Sequence, residues 1–210
     1  MPYPATHLYF SRRVARELCI RDLPGFYLGS VAPDSVIFLP SWTSWDKHAA
    51  HLCVGEQRYE DVTNIEEWLR NALSKWELWR RGPDPSFYAG WFCHALLDLR
   101  HTESYVLPCK RDRAALIADG SFRRDMVMLD HALCPGVKAE VLPVLRQCAV
   151  REDGMDLFSA AQLREIVLNV GYRQYEKVPE GEMGPYAYID PEQYVGFVHH
   201  IAREAIRYIS

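Results

Sequence analysis

Between Gly90 and His101 the chain reads GWFCHALLDLRH, and no other stretch limits the fold so closely. His94, Asp98 and His101 stand at i, i+4 and i+7. That spacing stacks three side chains on one face of a helix over two turns. The opposite face carries Trp91, Phe92, Ala95, Leu96 and Leu99. A helix of this pattern belongs inside a bundle, where two imidazoles and a carboxylate offer N and O donors suited to zinc. The plainer alternative is a polar stripe on an amphipathic helix. More His and Asp residues upstream favour the metal reading.

Helical periodicity continues on both sides. Leu8, Val14, Ala15 and Leu18 predict a helix over 5–20, with Thr6 as its cap and His7 in its first turn. Asp22-Leu23-Pro24-Gly25 predicts a break. The apolar run from Phe26 to Ala32 stops at Pro33-Asp34, where proline fixes a corner. Asp34 is there either a turn or cap residue, or a carboxylate held rigidly beside a buried run. Residues 40–60 are aromatic and irregular, and contain His48 and His51, three apart. Thr63-Asn64-Ile65-Glu66 reads as a capping box. The helix it starts has Ile65, Trp68, Leu69, Leu73 and Trp76 on one face. The central helix is expected from Ser86 to about Tyr105, closed by Pro108.

A further helical stretch covers 111–133 and contains Asp125, Asp130 and His131. Pro135-Gly136 separates it from a helix at about 137–150. Ser159 caps another helix, reaching about Lys177. The segment 178–191 reads as an ordered loop long enough to form a lid or a pocket wall. Asp190-Pro191 starts the last helix, whose His199 and His200 read as structural or surface residues. No alternating strand pattern and no repeat is present. The expectation is an all-α, single-domain multi-helix bundle over residues 1–210, with seven or eight helices.

The balance of 24 Lys and Arg against 28 Asp and Glu gives a formal charge of −4. It provides no global drive towards nucleic acid or an anionic membrane, so no nucleic acid partner is expected. No apolar run is long enough for a transmembrane segment. The opening MPYPATHLYFSRRVAR has charges where a signal peptide needs its apolar core. The six cysteines form no C-x-x-C pair. These features together predict a cytoplasmic, reduced protein.

The candidate ligands follow an order: His7, then LGSVAPD (28–34), then DKHAAH (46–51), then GWFCHALLD (90–98), then His101. With its G-x-x-x-P-D and G-x-x-x-H-x-x-x-D segments, this order resembles the zinc-dependent phospholipase C family. More narrowly, it resembles the small bacterial members of the phospholipase C/P1 nuclease superfamily. The resemblance covers roughly residues 5–131. It implies an all-helical fold around a cluster of zinc ions, and hydrolysis of phosphate esters. It also implies metal ligation by His7, Asp34, His48 or His51, His94 and Asp98, with Asp98 bridging two metals. His101 would match a later His ligand, and Asp125 a ligand from the following helix. Asp34 would be either a ligand or the general base. The family's His and Glu pair one helical turn apart is missing around Asp125 to Leu129, so the expectation is one or two ions, zinc first.

The chemistry implied is activation of water by a metal with an open position. Glu103 or Asp46 would orient the imidazoles. The aromatic stretch Phe38 to Trp45 and the 178–191 loop would line the cleft, unless the aromatics are simply core. The expected substrate is a small phosphate ester or a phospholipid head group; the oligomeric state is left open. Two other readings stand beside this one. One is a non-catalytic helical domain with a structural metal site or a partner-binding role. The other is a metal-free bundle with polar helix faces.

Overall fold

The computed structural model describes residues 2–176 and 185–210. The described residues include eleven α-helices, and the sole β-type pairing among them is a bridge between Met155 and Phe158. No described helix is long and apolar enough to cross a membrane. All six cysteines are free.

The helices start where short polar side chains can satisfy exposed first-turn amides. Helix α1 spans Pro4–Glu17 and α2 spans Leu23–Gly29, with the Asp22 carboxylate accepting from the Gly25 amide at 3.0 Å. The expected break at 22–25 is therefore a helix start. A 3-10 turn, Ala32–Phe38, carries Asp34. Helix α3 (Ser44–Ala50) opens on a Thr43/Asp46 capping box. Helix α4 (Ile65–Trp79) is capped by Asn64, one residue later than the sequence suggested. Helix α5 covers Pro85–His101. Thr6 is no cap. Tyr3 holds that position, while Thr6 lies inside α1 and donates its amide and its hydroxyl to Asp130 at 2.6 and 2.9 Å.

Three prolines behave differently from expectation. Pro108 does not close the central helix. A wide π turn, Thr102–Val106, leads straight into α6 (Leu107–Asp112), and Pro108 falls in that helix's first turn, where a missing N–H costs little. Pro135 lies inside α8 (Ser121–Glu140) rather than ending it, and Arg12 from α1 supports this stretch by reaching the Gly136 carbonyl at 3.2 Å and Glu140 at 3.0 Å. The helix expected at 137–150 is only a single turn, α9 (Leu142–Leu145), with Pro143 at its start. Gly120, at φ 78°, divides the 111–133 stretch into α7 (Ala114–Ala118) and α8. Splits of this kind raise the helix number above seven or eight.

Ser159 forms the expected capping box with Gln162 on α10 (Ala160–Leu168), which runs into a π turn at Asn169–Arg173. Residues 178–184 of the predicted loop lie outside the described residues. Asp190 caps α11 (Pro191–Ile209) through the Gln193 amide at 2.9 Å.

Helix α5 is the axis of the molecule. Every residue from Ala89 to Leu99 is buried, including His94 and Asp98. It packs against α1, α2, α4 and α11, so it is apolar on nearly all sides. Its tightest neighbour is α2. A Cβ on Gly90 would collide with the Phe26 carbonyl, and one on Gly29 with the Phe87 carbonyl. Only paired glycines permit this approach.

Candidate metal centre

Four elements deliver five side chains to one place. His7 comes from α1, Asp34 from the 3-10 turn, His51 from the C-terminal end of α3, and His94 and Asp98 from α5. Two overlapping groups have donor atoms all within 4.8 Å of one another: His7, His94 and Asp98; and Asp34, His51 and His94.

Backbone packing fixes the two key imidazoles. The close crossing of α2 and α5 sets the Ser30 carbonyl 2.8 Å from His94 Nδ1. His51 Nδ1 lies 2.7 Å from the Lys47 carbonyl. The end of α3 is held from outside by donors to its last carbonyls. Trp91 Nε1 donates to Ala50 at 2.6 Å, Trp68 Nε1 to His51 at 2.8 Å and Asn71 Nδ2 to Leu52 at 2.9 Å. Trp91, on the apolar side of α5, thus positions a histidine that belongs to another helix.

A carbonyl oxygen only accepts, so Nδ1 of both His51 and His94 must carry the proton. In the neutral rings each Nε2 is then a bare lone pair, and the two Nε2 atoms stand 3.1 Å apart. Two lone pairs at that distance repel unless a cation lies between them. That cation is either a proton or a metal ion. The arrangement, with Nδ1–H on a carbonyl and Nε2 turned inward, is the usual setting of a metal-binding histidine.

The histidine–carboxylate distances are longer than this. His7 Nε2 lies 3.3 Å from Asp98 Oδ1; His51 Nε2 lies 3.4 Å from Asp98 Oδ2 and 3.5 Å from Asp34 Oδ1; His94 Nε2 lies 3.6 Å from Asp98 Oδ2. Charge-assisted hydrogen bonds are shorter, near 2.7–2.9 Å. Donors sharing a tetrahedral ion at zinc–nitrogen distance stand about 3.3 Å apart. Both nitrogens of His7 and Oδ1 of Asp98 are also buried without a hydrogen-bond partner. An imidazole nitrogen has one lone pair, so His94 serves one ion. The two Asp98 oxygens face different imidazoles, Oδ1 towards His7 and Oδ2 towards His51 and His94.

Burial and charge set the protonation states. Burial brings the His51 ring down to about 4, and burial together with His94 lowers His7. Burial opposes the charge on His94 as well, but the nearby Asp98 carboxylate wins and raises it. Burial likewise works against the Asp98 charge, and His7 and His94 overcome it, holding this carboxyl well below the usual range. At Asp34 the same contest is won by Lys47 and His51. Both carboxylates are therefore ionised at neutral pH, facing mostly neutral rings, which is the donor set a divalent cation takes.

The structure treats the other sequence candidates differently. His48 turns away from the group: its Nε2 is 3.4 Å from the Val54 carbonyl and its ring sits against Trp45. His101 is buried at the far end of α5, stacked on Tyr105, and lies outside both donor groups. Seven residues of helix separate it from His94 by about 10.5 Å along the axis, too far for one ion. Asp125 has another task. Its oxygens accept from the amides of Ala187, Tyr188 and Ile189 at 2.7–3.0 Å, which anchors the approach to α11. Asp46 caps α3 and Glu103 pairs with Arg100 at 2.8 Å, so neither orients an imidazole of the group.

Several contributors carry no obvious sequence signal. Tyr59 donates its hydroxyl to Asp98 Oδ2 at 2.6 Å. Lys47 stands 3.6 Å from Asp34 Oδ1 and over the Tyr59 ring. Asp130 is the exception, being an acid on the apolar stripe of α8 with Met126 and Leu129. It is fully buried and ties down the start of α1 through Thr6, and Tyr175 donates to its other oxygen at 2.7 Å.

Asp34 keeps 17% exposure and borders a cleft of about 450 Å³. Its described walls come from the start of α1, Ile37, Lys47, Arg123, Ile166, Asn169 and Gln174. The aromatic stretch Phe38 to Trp45 does not line it. Trp42 and Trp45 are half exposed on the surface, so they are not core either. No protein-family model, curated protein or solved structure matches this chain.

Proposed function

We propose that this protein is a metal-dependent phosphoesterase that holds one or two divalent ions, zinc first among them, on His7, Asp34, His51, His94 and Asp98. The observation that carries the reading is the His51–His94 pair, with two inward lone pairs 3.1 Å apart and two carboxylates beside them. The donor chemistry fits zinc: neutral imidazoles, ionised carboxylates and unpartnered buried atoms at co-ligand spacing. The reaction class comes from the resemblance to the zinc-dependent phospholipase C family, carried here by the order of His7, Asp34, His51, His94 and Asp98.

When bound, zinc with an open position supplies Lewis-acid polarisation of a phosphoryl oxygen and makes water acidic near neutrality. The chain's own residues supply the rest. Asp98, held by Tyr59, balances positive charge deep in the centre. Asp34, kept ionised by Lys47 at the edge of the cleft, is the carboxylate in reach of a water and of substrate, and it is the group assigned to take the proton from the attacking water.

The test is elemental analysis of protein purified without a metal-binding tag, paired with a phosphoester hydrolysis panel. Expected are one or two zinc ions per chain, fewer in Asp98→Ala, and hydrolysis lost in Asp98→Ala and His94→Ala. Metal-free wild-type protein with no turnover overturns the proposal. The burial of His7, His51, His94 and Asp98 to 1% or less favours one other reading, a structural ion. In that case a chelator lowers Tm and no ester is hydrolysed.

A further inference from the structure

We propose that Asp130 and Tyr175 are positioning residues for the metal centre: as a cap delivered from outside α1, they set its first turn and hence the place of His7. That His7 holds an ion rests on the phosphoesterase reading; the geometry of the turn stands without it. Of the three histidines in the group, His7 is the one with no fixing bond. The Nδ1 atoms of His51 and His94 are each held on a carbonyl, at 2.7 and 2.8 Å. Neither ring nitrogen of His7 has a hydrogen-bond partner among the described residues. Its ring stacks on His94, with centroids 3.7 Å apart and planes 8° from parallel. Stacking alone does not select one offset, so the placement of His7 falls to its backbone.

His7 lies in the first turn of α1, where most amides have no partner within the helix. The N-cap Tyr3 offers no side-chain bond, and Pro4 has no N–H. The next two amides reach outside the helix. Ala5 N donates to the Tyr175 hydroxyl at 2.7 Å and Thr6 N to Asp130 Oδ1 at 2.6 Å. Thr6 Oγ1 donates to the same oxygen at 2.9 Å, and the Tyr175 hydroxyl donates to Oδ2 at 2.7 Å. Asp130 comes from α8, and Tyr175 lies just beyond the π turn Asn169–Arg173. Two side chains from elsewhere thus do what a Ser or Asp N-cap does in other helices. Further along, α1 is tied to α8 by Arg12 and Arg16 on Glu140, a half-exposed carboxylate. Exposed ion pairs of this kind hold weakly, whereas hydrogen bonds to a buried carboxylate are strong and costly to leave unmade. The Asp130 end therefore sets where α1 stands against α8, and with it the 3.3 Å between His7 Nε2 and Asp98 Oδ1.

Three variants test this. Tyr175→Phe keeps the ring and removes the hydroxyl. Asp130→Asn keeps an acceptor for Thr6 but removes the charge that strengthens the bond. Glu140→Ala is the control, since it loosens the other end of the same helix pair. The first readout is the His7 ring-proton resonance in chelator-treated protein, assigned by its loss in His7→Gln, because a ring stacked on His94 reports its own offset. Tyr175→Phe is expected to shift or split that signal, Asp130→Asn to shift it less, and Glu140→Ala to leave it in place. The second readout is zinc affinity by competition with a chromogenic chelator. It is expected to fall about tenfold in Tyr175→Phe, the lower end of what losing an outer partner costs, and to hold in Glu140→Ala. If Tyr175→Phe does not fold, Asp130→Asn decides alone. A His7 signal unmoved by Tyr175→Phe and Asp130→Asn overturns the proposal. So does an equal shift in Glu140→Ala, or a zinc-binding wild type whose affinity neither variant lowers. A wild type that binds no zinc but shows the expected pattern of shifts supports the positioning of His7 and removes only the phosphoesterase reading.

Discussion

Gly29 and Gly90 meet where α2 crosses α5, each without room for a side chain against the other helix's backbone. The consequence lies one turn further on. Ser30 follows Gly29, His94 is four residues past Gly90, and the Ser30 carbonyl fixes the tautomer of His94 at 2.8 Å. The two glycines of the G-x-x-x-P-D and G-x-x-x-H-x-x-x-D segments thus hold the candidate donors Asp34, His94 and Asp98 in register. Gly90→Ala is expected to push the helices apart, cost about 1–3 kcal/mol as an overpacked core does, and lower zinc content. Thermal unfolding and elemental analysis check it. Wild-type stability together with full zinc would show that the crossing does not set the site.

His48 and His51 are three residues apart, yet their surroundings predict opposite outcomes. His51 Nε2 faces His94, Asp98 and Asp34, whereas His48 faces the Val54 carbonyl and Trp45. His51→Gln is expected to lose most bound zinc, and His48→Gln to retain it with at most a small drop in Tm. Zinc per chain in the two purified variants decides the point. Equal loss in both would mean that His48 also reaches the ion.

The helical fold could be read from the apolar periodicity of α1 and α4, because 3.6-residue patterning survives whatever the helices pack against. Helix ends were harder. Pro108 and Pro135 look like stops, but a π turn ahead of one and support from Arg12 beside the other keep the chain helical. In the site, His94 and Asp98 stood out because i, i+4 spacing is local. Tyr59, the Ser30 and Lys47 carbonyls and the choice between His48 and His51 depend on how α2, α3 and α5 dock. Asp125 and Asp130 show the same limit. Both are buried acids on α8 and alike in sequence, but one receives the amides of 187–189 and the other the start of α1.

Tyr59 and Asp98 provide a test of how the centre is supported. The Tyr59 hydroxyl donates to Asp98 Oδ2 at 2.6 Å, and its ring lies 4.5 Å from His51. Tyr59→Phe keeps the ring and removes the donor. Zinc affinity is expected to fall by about 10- to 100-fold, as it does when an outer hydrogen bond to a ligand is lost, with the helical content intact. Competition with a chromogenic zinc chelator measures it. An unchanged affinity would reduce Tyr59 to a packing role.

Asp130 and His51 pull the pH dependence of stability in opposite directions in metal-free protein. His51 falls from its ordinary 6.5 to about 4 by burial, so between those values the unfolded chain binds more protons and stability rises with pH. Burial raises Asp130 from 3.8 to about 6 against the bonds from Tyr175 and Thr6, so between those values the folded chain binds more protons and stability falls as pH rises. Each displacement corresponds to roughly 3 kcal/mol, and in the wild type the two largely offset one another from about pH 4 to 6. Asp130→Asn keeps an acceptor for Thr6 and removes the falling component. Its stability is expected to climb more steeply than that of the wild type across this window. His51→Gln removes one rising component, and its stability is expected to climb less steeply than that of the wild type over the same range. Urea unfolding of chelator-treated protein at several pH values between 4 and 6.5 gives both slopes. Parallel curves for wild type and Asp130→Asn would show that Asp130 does not titrate in this window.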